Sequence, residues 1–386
     1  MHYDLIVVGG GIVGLGHAWA AAKQGQTVAV FDTSPKAEGA SIRNFGMIWP
    51  IGQPAGTQRK LALRSRELWQ ELGAAAGFAV DPCGSLHLAH HDDEWAVLGE
   101  FAESSAADGL DIELVSPEQI AKLTPAANPS GLKGGLYSRT ELRVTPPTAI
   151  CAAAAYLADG QNITFHYDTA ITQVDTGRVI SSSGSTWTAE RIVIATGAYF
   201  QHLFPTEHAA EKLRLCKLQM MLTGSQPPGW KLGPHIASGL TLRHYLSFRH
   251  CPTLAAVKER FAKDAPLLDE YGIHVMASQA DNGGLILGDS HEYDDDIEPT
   301  DKAEIDDLIL QELQKIMNVP TWNIAKRWHG LYAKHPAQMC FVREVRPDVL
   351  VVNGFGGNGM TLSLAFAESV IHAWPNSALS EAVPQA

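Results

Sequence analysis

The chain opens with the stretch Asp4-Leu-Ile-Val-Val-Gly-Gly-Gly-Ile-Val-Gly-Leu-Gly-His-Ala-Trp-Ala20, on which the interpretation of the rest depends. Its first residues are apolar and rich in branched side chains, which is typical of a strand in a parallel sheet covered on both faces. The glycines that follow have the G-x-G-x-x-G spacing, and they are Gly9, Gly11 and Gly14. In that motif the first glycine permits a tight turn, the second lets a pyrophosphate approach the backbone, and the third lets a helix pack closely on the sheet. The stretch predicts a dinucleotide site, with a glycine-rich packing turn as the alternative.

A second strand follows and ends in an acid. Its residues are Thr27-Val-Ala-Val-Phe-Asp32, and Asp32 stands about 20 residues beyond the glycines, where a dinucleotide ribose presents its hydroxyls. We expect the pyrophosphate to rest on the N–H groups at the positive end of the helix that begins near Ile12 and Val13. Thr33 completes this part of the predicted cofactor site. The carboxylate argues against NADP, whose extra phosphate it would repel, but the motif does not separate NAD from FAD.

The composition indicates a globular chain with a negative charge. Its 386 residues are enough for two domains with separate cores, and 45% of them are hydrophobic against 18% charged. The net charge of -13 offers no basic stripe for a phosphate backbone and argues against nucleic acid as a partner. An anionic substrate would therefore have to be bound by a local cluster of donors.

The cysteines and histidines show no disulfide framework and no metal-ligand pattern. The 5 cysteines are scattered and odd in number, which fits reduced thiols in a cytoplasmic protein. The 16 histidines include no H-E-x-x-H or similar spacing, so no metal is expected. Because the nucleotide motif begins within the first residues, no signal peptide is expected, and no run of about 18 apolar residues predicts a membrane span.

Periodicity and turn residues place further elements along the chain. Residues 84–89 alternate like a strand with one exposed face, whereas residues 227–263 show little regular pattern. Helices are predicted over residues 58–76, 92–107, 115–123, 149–157 and 300–317. Strands are predicted over residues 134–138, 163–167, 170–174 and 191–194 and, as members of an antiparallel sheet, over 216–223 and 283–290.

The last strong signal repeats the first. The stretch Val349-Leu-Val-Val-Asn-Gly-Phe-Gly-Gly-Asn-Gly-Met-Thr-Leu-Ser363 predicts a strand, a glycine turn and a helix that continues to His372. If this element returns to the first domain, its N–H groups can face a second part of the same ligand. A simple NAD fold would not need such an element.

Three motifs, taken in this order, resemble the FAD-dependent D-amino acid oxidase family, which includes glycine and sarcosine oxidases. They are the N-terminal fingerprint, the turn that begins Ala195-Thr-Gly-Ala, and the C-terminal glycine turn, and the resemblance covers nearly the whole chain. It implies an α/β fold, with a discontinuous Rossmann-like FAD-binding domain and a second α+β substrate domain built on an antiparallel sheet. The implied ranges are 1–82, 142–215 and 328–386 for the FAD-binding domain, and 83–141 and 216–327 for the substrate domain.

The resemblance also implies which residues hold FAD. The loop Ala40-Ser-Ile-Arg-Asn-Phe-Gly46 matches the family's segment beside the isoalloxazine ring and the pyrophosphate. The family's cysteine position falls near Gly330 here, which implies noncovalent binding. The cofactor residues implied in addition to those named above are Ser41, Arg43, Asn44, Gly46, Met47, Val174, Ala195, Gly197, Gly356, Gly357, Asn358, Gly359, Met360 and Thr361.

The next residues, Met47-Ile-Trp-Pro-Ile-Gly-Gln-Pro54, look like a subgroup of these flavoproteins associated with aminophosphonate breakdown. The implied substrate is (N-methyl-)2-aminoethylphosphonate, oxidised to an imine that hydrolyses to phosphonoacetaldehyde and an amine. Ile286 stands where sarcosine oxidases have a lysine for oxygen activation, so oxygen and another electron acceptor both stay open. Tyr332 stands where glycine and D-amino acid oxidases have an arginine for the substrate carboxylate.

A phosphonate needs several convergent donors. The candidates are Arg43, Asn44, Gln53, Arg243, His244, His329, Lys334 and His335, each with a surface salt bridge or a core hydrogen bond as its alternative role. The residues expected at the reacting end are Trp49, Arg243, His244, Tyr332 and His335, of which Trp49 would either wall the pocket or fill the core. The alternative functions are a glycine, sarcosine or D-amino acid oxidase with a relocated carboxylate clamp, and a flavin-binding protein without turnover.

Overall fold

The computed structural model describes residues 1–105, 108–293 and 297–374. The helices in these ranges are numbered in chain order. They are α1 (Ile12–Lys23), α2 (Thr57–Ala76), α3 (Asp92–Ser105), α4 (Pro117–Leu123), α5 (Pro146–Ala158), α6 (Pro205–Ala210), α7 (Gly239–His244), α8 (Leu254–Asp264), α9 (Pro266–Glu270), α10 (Ala303–Ile316) and α11 (Gly359–Ala373). Among the described residues, no helix combines the length and the apolar character that crossing a membrane requires.

Within the described ranges the strands form two large sheets and one short pair. They are β1 (His2–Val8), β2 (Val28–Phe31), β3 (Met47–Ile48), β4 (Ser85–Ala89), β5 (Ile112–Val115), β6 (Gly134–Ser138), β7 (Leu142–Arg143), β8 (Ile163–His166), β9 (Ile171–Asp175), β10 (Arg178–Ser181), β11 (Thr186–Ile194), β12 (Arg214–Thr223), β13 (His235–Ala237), β14 (Met276–Gln279), β15 (Leu285–Gly288), β16 (Glu292–Tyr293), β17 (Ile324–Lys334), β18 (Phe341–Arg346) and β19 (Val349–Asn353).

The first sheet has the order β18-β19-β11-β1-β2-β8, and the β9-β10 hairpin pairs with β11. At its centre β1 runs parallel to both β2 and β11. Leu5 and Val7 pack with α1, α2 and α11 on one face, and Ile6 packs into a separate core on the other. The prediction of a parallel strand covered on both faces is confirmed. Since α1 leaves directly from the carboxyl end of β1, the glycine turn lies at the sheet edge where α/β folds bind ligands.

The second sheet has the order β16-β12-β15-β14-β13-β4-β6-β5, and β17 pairs with β12. The predicted strands over 216–223 and 283–290 correspond to β12 and β15, which pair antiparallel. In the described strands β13 and β4 run parallel, so the sheet is mixed rather than wholly antiparallel. Side chains of α3, α8 and α10 join the core that packs against this sheet.

Two predictions about this region are wrong. Strand β4 is buried along its whole length instead of exposing one face, because it is an interior strand against which α3 also packs. Residues 227–263 are regular over much of their length, since they form β13, α7 and α8. The first two of these elements are too short for their apolar residues to show a period in the sequence.

The domain division stays a prediction. Its boundaries at 215/216 and 327/328 fall inside β12 and β17. These two strands pair with each other along almost their full length. We propose that both belong with the second sheet throughout.

A buried histidine in β4 makes stability depend on pH. His87 is 1% exposed and neither of its ring nitrogens has a hydrogen-bond partner. Burial lowers the pKa of His87 to about 3, whereas the unfolded chain protonates a histidine at about 6.5. Between these values only the unfolded state takes the proton, so the contribution of a neutral His87 is fully present above about pH 6.5 and decreases as the pH falls.

We expect His87→Phe to make stability less sensitive to acid. The free energy of unfolding lost between about pH 7.5 and about pH 5 should be about 2 kcal/mol smaller than in the parent protein. Urea unfolding at the two pH values measures this difference. His91→Phe, at an exposed position of the adjoining loop, is the control. An unchanged pH dependence in His87→Phe would contradict a neutral buried ring.

Candidate active site

A cavity of 1490 Å³ lies where the carboxyl ends of β1, β2 and β11 meet β12 and β17 of the second sheet. Pockets for drug-sized ligands commonly measure about 300–1,000 Å³, so this one has room for a dinucleotide and a small second molecule. Glycine turns and helix starts line one end, and histidine, tyrosine and lysine side chains line the other.

The turn between β1 and α1 forms one wall of the glycine-lined end. Gly9 has φ +115°, and a methyl group on it would lie 2.2 Å from the Ala195 carbonyl oxygen. Helix α1 begins at Ile12 without a side-chain cap from the preceding residue. Ser41 Oγ approaches this helix start and accepts a hydrogen bond from Ile12 N at 2.9 Å. The first turn of α1 therefore presents its positive dipole end to the cavity.

Asp32 lines the cavity beside this turn. Its Oδ2 accepts a hydrogen bond from Gly10 N at 2.7 Å, and its Oδ1 accepts one from Ser34 N at 3.0 Å. Thr196, on the neighbouring turn after β11, also lines the cavity, and its buried Oγ1 has no protein partner. The arrangement suits a ribose, whose hydroxyl groups can donate to the carboxylate.

The C-terminal glycine turn forms the wall opposite. Helix α11 begins at Gly359, and Asn358 at its N-cap makes no side-chain cap. Asn358 Oδ1 instead accepts a hydrogen bond from Gln53 Nε2 at 2.9 Å, which ties the turn to the loop after β3. The start of α11 thus presents a second positive dipole end to the same cavity. The predicted return of the C-terminal element to the first sheet is observed, because β19 pairs in parallel with β11.

Most residues predicted to bind the cofactor line this cavity. They are Gly9, Gly11, Ile12, Val13, Asp32, Thr33, Ser41, Arg43, Asn44, Ala195, Gly197, Gly356, Gly357, Asn358, Gly359 and Met360. The uncapped helix starts, the acid at the end of β2 and the hydroxyl without a partner fit a dinucleotide cofactor. Gly14, Gly46, Met47, Val174 and Thr361 do not line it.

Gly14 and Thr361 lie outside the cavity and contact the residues that form its walls. A methyl group on Gly14 would lie 1.8 Å from the Gly9 carbonyl oxygen, which matches the packing role predicted for the third glycine. Thr361 Oγ1 accepts a hydrogen bond from Trp49 N at 3.0 Å and so joins α11 to the loop after β3.

Gly46, Met47 and Val174 are also placed away from the cavity. Gly46 has φ +74° and lies against the Val144 carbonyl oxygen, and Met47 is buried in β3. Val174 lies in the β9-β10 hairpin, where it pairs with Val179. Residues 169–171 line the cavity instead, because β9 leaves the cavity edge as soon as it begins.

Three histidines meet at the other end of the cavity. His244 ends α7, His274 precedes β14, and His291 follows β15. Their ring centroids are separated by 3.9 Å (His244 to His274), 4.6 Å (His244 to His291) and 5.1 Å (His274 to His291). Burial lowers the pKa of His291 to about 4 and that of His274 well below the ordinary histidine value, and partial desolvation beside these two rings lowers the pKa of His244 as well. All three rings are therefore neutral at neutral pH. His244 keeps exposed surface because it faces the open cavity.

Lys334 supplies a cation beside the C-terminal glycine turn. Its Nζ donates to the Tyr293 hydroxyl at 3.1 Å, and a methyl group on Gly356 would lie 3.3 Å from its Cγ. Burial lowers the pKa of Lys334. The Tyr332 hydroxyl lies 3.8 Å from the position of a methyl group on Gly357, and burial raises its pKa well above 10. Arg249 lines the same region of the cavity and is exposed.

Arg243, His335 and Trp49, also predicted at the reacting end, differ in whether they face the cavity. The Arg243 guanidinium lines the cavity but pairs with Asp269 and lies 4.6 Å from the Phe261 ring centroid. His335 Nδ1 accepts hydrogen bonds from two backbone N–H groups of the turn that follows it. Trp49 does not line the cavity; it is 3% exposed and packs in the second core. Of its two alternative roles, the structure shows the core-filling one.

Three of the remaining candidate donors, Arg43, Asn44 and His329, lie along the loop after β2 or on β17. Arg43 Nη1 donates to the His329 carbonyl oxygen at 3.3 Å, and His329 Nδ1 lies 2.8 Å from Asp301. Asn44 Oδ1 accepts from Gly46 N at 2.8 Å, so Asn44 braces its own loop. These contacts leave Lys334 as the predicted donor whose cation faces the histidine end of the cavity.

Sequence reasoning missed five residues of this end: Arg249, His274, Asp289, His291 and Tyr293. Four are spaced irregularly in loops, and no motif marks them. The polar residues at and after the end of the predicted strand 283–290 were the one available signal, because Asp289 and His291 follow the buried end of β15. Ile286, at the position of the family's lysine, is 6% exposed and packs with Met220 and Tyr332.

Nearly the whole chain is similar to proteins of one family. The family described as FAD dependent oxidoreductase (DAO) matches residues 4–373. Glycine oxidase of Bacillus licheniformis is 25% identical over 380 residues, covering 95% of this chain and 91% of that protein. Glycine oxidase of Geobacillus kaustophilus (strain HTA426) is 26% identical over 212 residues, and that match covers 52% of this chain and 56% of the relative. The chain thus spans little more than half the length of that second relative.

Solved structures share the fold over the full length. The crystal structure of glycine oxidase from Bacillus cereus ATCC 14579 superposes with a TM-score of 0.77 at 19% identity, covering 100% of this chain and 99% of that one. L-α-glycerophosphate oxidase from Mycoplasma pneumoniae, with FAD bound, superposes with a TM-score of 0.71 at 18% identity, covering 96% of this chain and 94% of that one.

Proposed function

The chain belongs to the DAO family of FAD-dependent oxidoreductases, and from that premise we propose that it oxidises the C–N bond of a small amine that carries an anionic group. The substrate we propose is N-methyl-2-aminoethylphosphonate. Loss of a hydride from the chain carbon bonded to nitrogen leaves a protonated imine, and water hydrolyses this imine to phosphonoacetaldehyde and methylammonium. The observation that carries the proposal is the half-buried amino group of Lys334, which lines the cavity end that faces the histidines and is held there by the Tyr293 hydroxyl.

The glycine-lined end would hold the cofactor. The starts of α1 and α11 present positive dipole ends, and Asp32 is placed for a ribose. FAD, when bound, supplies the hydride acceptor. None of the five cysteines, all of which lie in the described residues, lines the cavity, which supports noncovalent binding.

The opposite end would bind the substrate. Lys334 and Arg249 can pair with an oxyanion, and charge-assisted hydrogen bonds of this kind are the strong ones. An amine must be neutral to lose a hydride. An ionised carboxyl group beside it would stabilise the protonated amine and so disfavour the reaction. At this end of the described cavity lining the carboxyl group is that of Asp289, and burial raises its pKa well above 3.8, which disfavours its ionised form.

The position of Tyr332 favours a phosphonate over an α-amino acid carboxylate. An α-carboxylate lies one bond from the reacting carbon, and its usual partner in the resembling oxidases is an arginine at this position. Tyr332 contributes a protonated hydroxyl there instead. In 2-aminoethylphosphonate a further carbon separates the anion from the reacting carbon, which suits a cation set farther along β17, as Lys334 is.

The second candidate is a glycine or sarcosine oxidase. The relatives named glycine oxidase favour it, and so does the N-methyl-L-tryptophan oxidase of Yersinia pestis (strain Pestoides F), which is 28% identical over 217 residues and is matched over 53% of this chain and 56% of that protein. In this alternative Lys334 and Arg249 would serve as a relocated carboxylate clamp.

A substrate comparison decides between these candidates. We expect kcat/KM for N-methyl-2-aminoethylphosphonate to exceed the values for 2-aminoethylphosphonate, sarcosine, glycine and D-alanine. Aldehyde and hydrogen peroxide are followed together, so that oxygen is distinguished from another electron acceptor. If sarcosine or an α-amino acid is preferred by about tenfold, equal to about 1.4 kcal/mol in transition-state binding, the phosphonate assignment is wrong. If no amine bleaches the flavin under anaerobic conditions, the protein binds flavin without turnover.

A further inference from the structure

We propose that His244, His274 and His291 form a binding site for a divalent transition-metal ion at the substrate end of the cavity. One nitrogen of each ring lies within 4.8 Å of the others. A tetrahedral ion with metal–nitrogen bonds of about 2.1 Å would space these nitrogens about 3.4 Å apart. The nitrogens are therefore close enough for one ion, and the rings would turn out of their present face-to-face arrangement to direct their lone pairs at it.

Hydrogen bonds select the nitrogens that can coordinate. His291 Nδ1 lies 3.0 Å from the Gly272 carbonyl oxygen, which can only accept, so this nitrogen carries the proton and Nε2 carries the lone pair. His274 Nε2 lies 3.2 Å from Asp289 Oδ1. His274 is 3% exposed, and its Nδ1 has no hydrogen-bond partner. Histidine ligands of metals almost always donate their second N–H to a carbonyl or carboxylate, as His291 does to Gly272, and the Asp289 carboxyl group lies close enough to His274 to take the same part.

The surroundings are compatible with a cation. The positive groups in this part of the described cavity lining are Arg243, which is paired with Asp269, Lys334, which donates to Tyr293, and Arg249, which is exposed to solvent. The buried carboxyl group of Asp289 faces His274 and can supply a compensating negative charge once an ion is bound. Neutral imidazoles suit zinc, copper, nickel and iron, so the set indicates a transition metal rather than magnesium or calcium.

Three protein ligands leave at least one coordination position open to the cavity, as in catalytic rather than structural zinc sites. If the proposed function holds, an oxygen atom of the substrate's phosphonate would occupy this open position. Lys334 would be the second group that binds the phosphonate. The ion would then orient the substrate, and no electron would pass through it.

Metal analysis of the flavin-loaded protein tests the site. We expect about one transition-metal ion per chain in protein purified without chelator or histidine tag. Protein stripped by a chelator should bind Co²⁺ with visible absorption typical of imidazole ligation. His274→Gln and His291→Gln should each weaken Co²⁺ binding by about 10²-fold or more, and Asp289→Asn by about 10–100-fold. His250→Gln, which alters an exposed histidine that hydrogen-bonds to Ser104, is the matched control.

The flavin absorbance per chain shows whether each variant folds, and it does not depend on the metal. The proposal is overturned if the stripped protein takes up neither Co²⁺ nor Zn²⁺ at equimolar concentration, or if the folded variants bind them as well as the parent does. If the variants lose affinity for the aminophosphonate while the parent holds no metal, the histidines bind the anion directly. That outcome rejects the metal site and leaves the proposed function standing.

Discussion

Replacing Gly14 by alanine is expected to yield a protein that no longer holds FAD. The added methyl group would lie 1.8 Å from the Gly9 carbonyl oxygen and 3.0 Å from its carbonyl carbon. Both atoms belong to the backbone of the glycine turn, so the clash can be relieved only by moving α1 away from β1. Because this movement takes the N–H groups at the start of α1 away from the pyrophosphate, we expect FAD affinity to fall by about 10³-fold, equal to about 4 kcal/mol in binding. The flavin absorbance per chain of the purified protein measures the loss.

Gly99→Ala is the matched control, because Gly99 also lies inside a helix and a methyl group on it meets no heavy atom within 4 Å. Alanine is favoured over glycine in a helix interior by about 0.8–1 kcal/mol, so this variant should keep its flavin and be slightly more stable. A Gly14→Ala protein with normal flavin content would show that the close contact of α1 with the turn is not required for the cofactor.

Lys334→Met is expected to raise KM for N-methyl-2-aminoethylphosphonate by about 10²-fold, equivalent to about 2.7 kcal/mol, while FAD stays bound. Methionine keeps the length of the side chain, so the packing of its stem against Gly356 is preserved and the charge is lost. Selectivity for the phosphonate over an uncharged secondary amine of the same length should fall by the same factor. Steady-state kinetics with both amines measures it.

Lys326→Met controls for the loss of a positive charge on β17, because Lys326 is exposed on the same strand and does not line the cavity. It should leave both kinetic constants unchanged. If Lys334→Met lowers the rates with the charged and the uncharged amine equally, Lys334 acts on the reaction itself and not on the anion.

The cofactor end of the cavity could be predicted because each of its main turns is encoded by residues that are adjacent in the sequence. The turn from β1 to α1 and the turn from β19 to α11 each lie within one short stretch, and the backbone of each stretch carries the function. Spacing of glycines therefore identifies them without knowledge of their neighbours. The fold class follows from the same stretches, since a buried strand that runs directly into a helix needs a parallel sheet beside it.

Prediction was less successful for residues that support the cavity walls without lining the cavity. Trp49 and Thr361 were predicted for the site, yet Trp49 packs in the second core and Thr361 bonds to the backbone of Trp49, and neither lines the cavity. A sequence pattern shows that such residues are close to a site. It does not show the direction in which each side chain points, which depends on how the loop packs against β7 and α11.

The sequence by itself determined the parallel sheet, the two helix starts that face the cofactor and the acid at the end of β2. Only the tertiary structure decided the substrate end. His244, His274, His291 and Lys334 come from a helix end, two loops and a strand, and they meet because the second sheet brings β12, β14, β15 and β17 together. No spacing rule connects residues from four separate elements, since their distances depend on long-range strand pairing and not on the repeat of any one element.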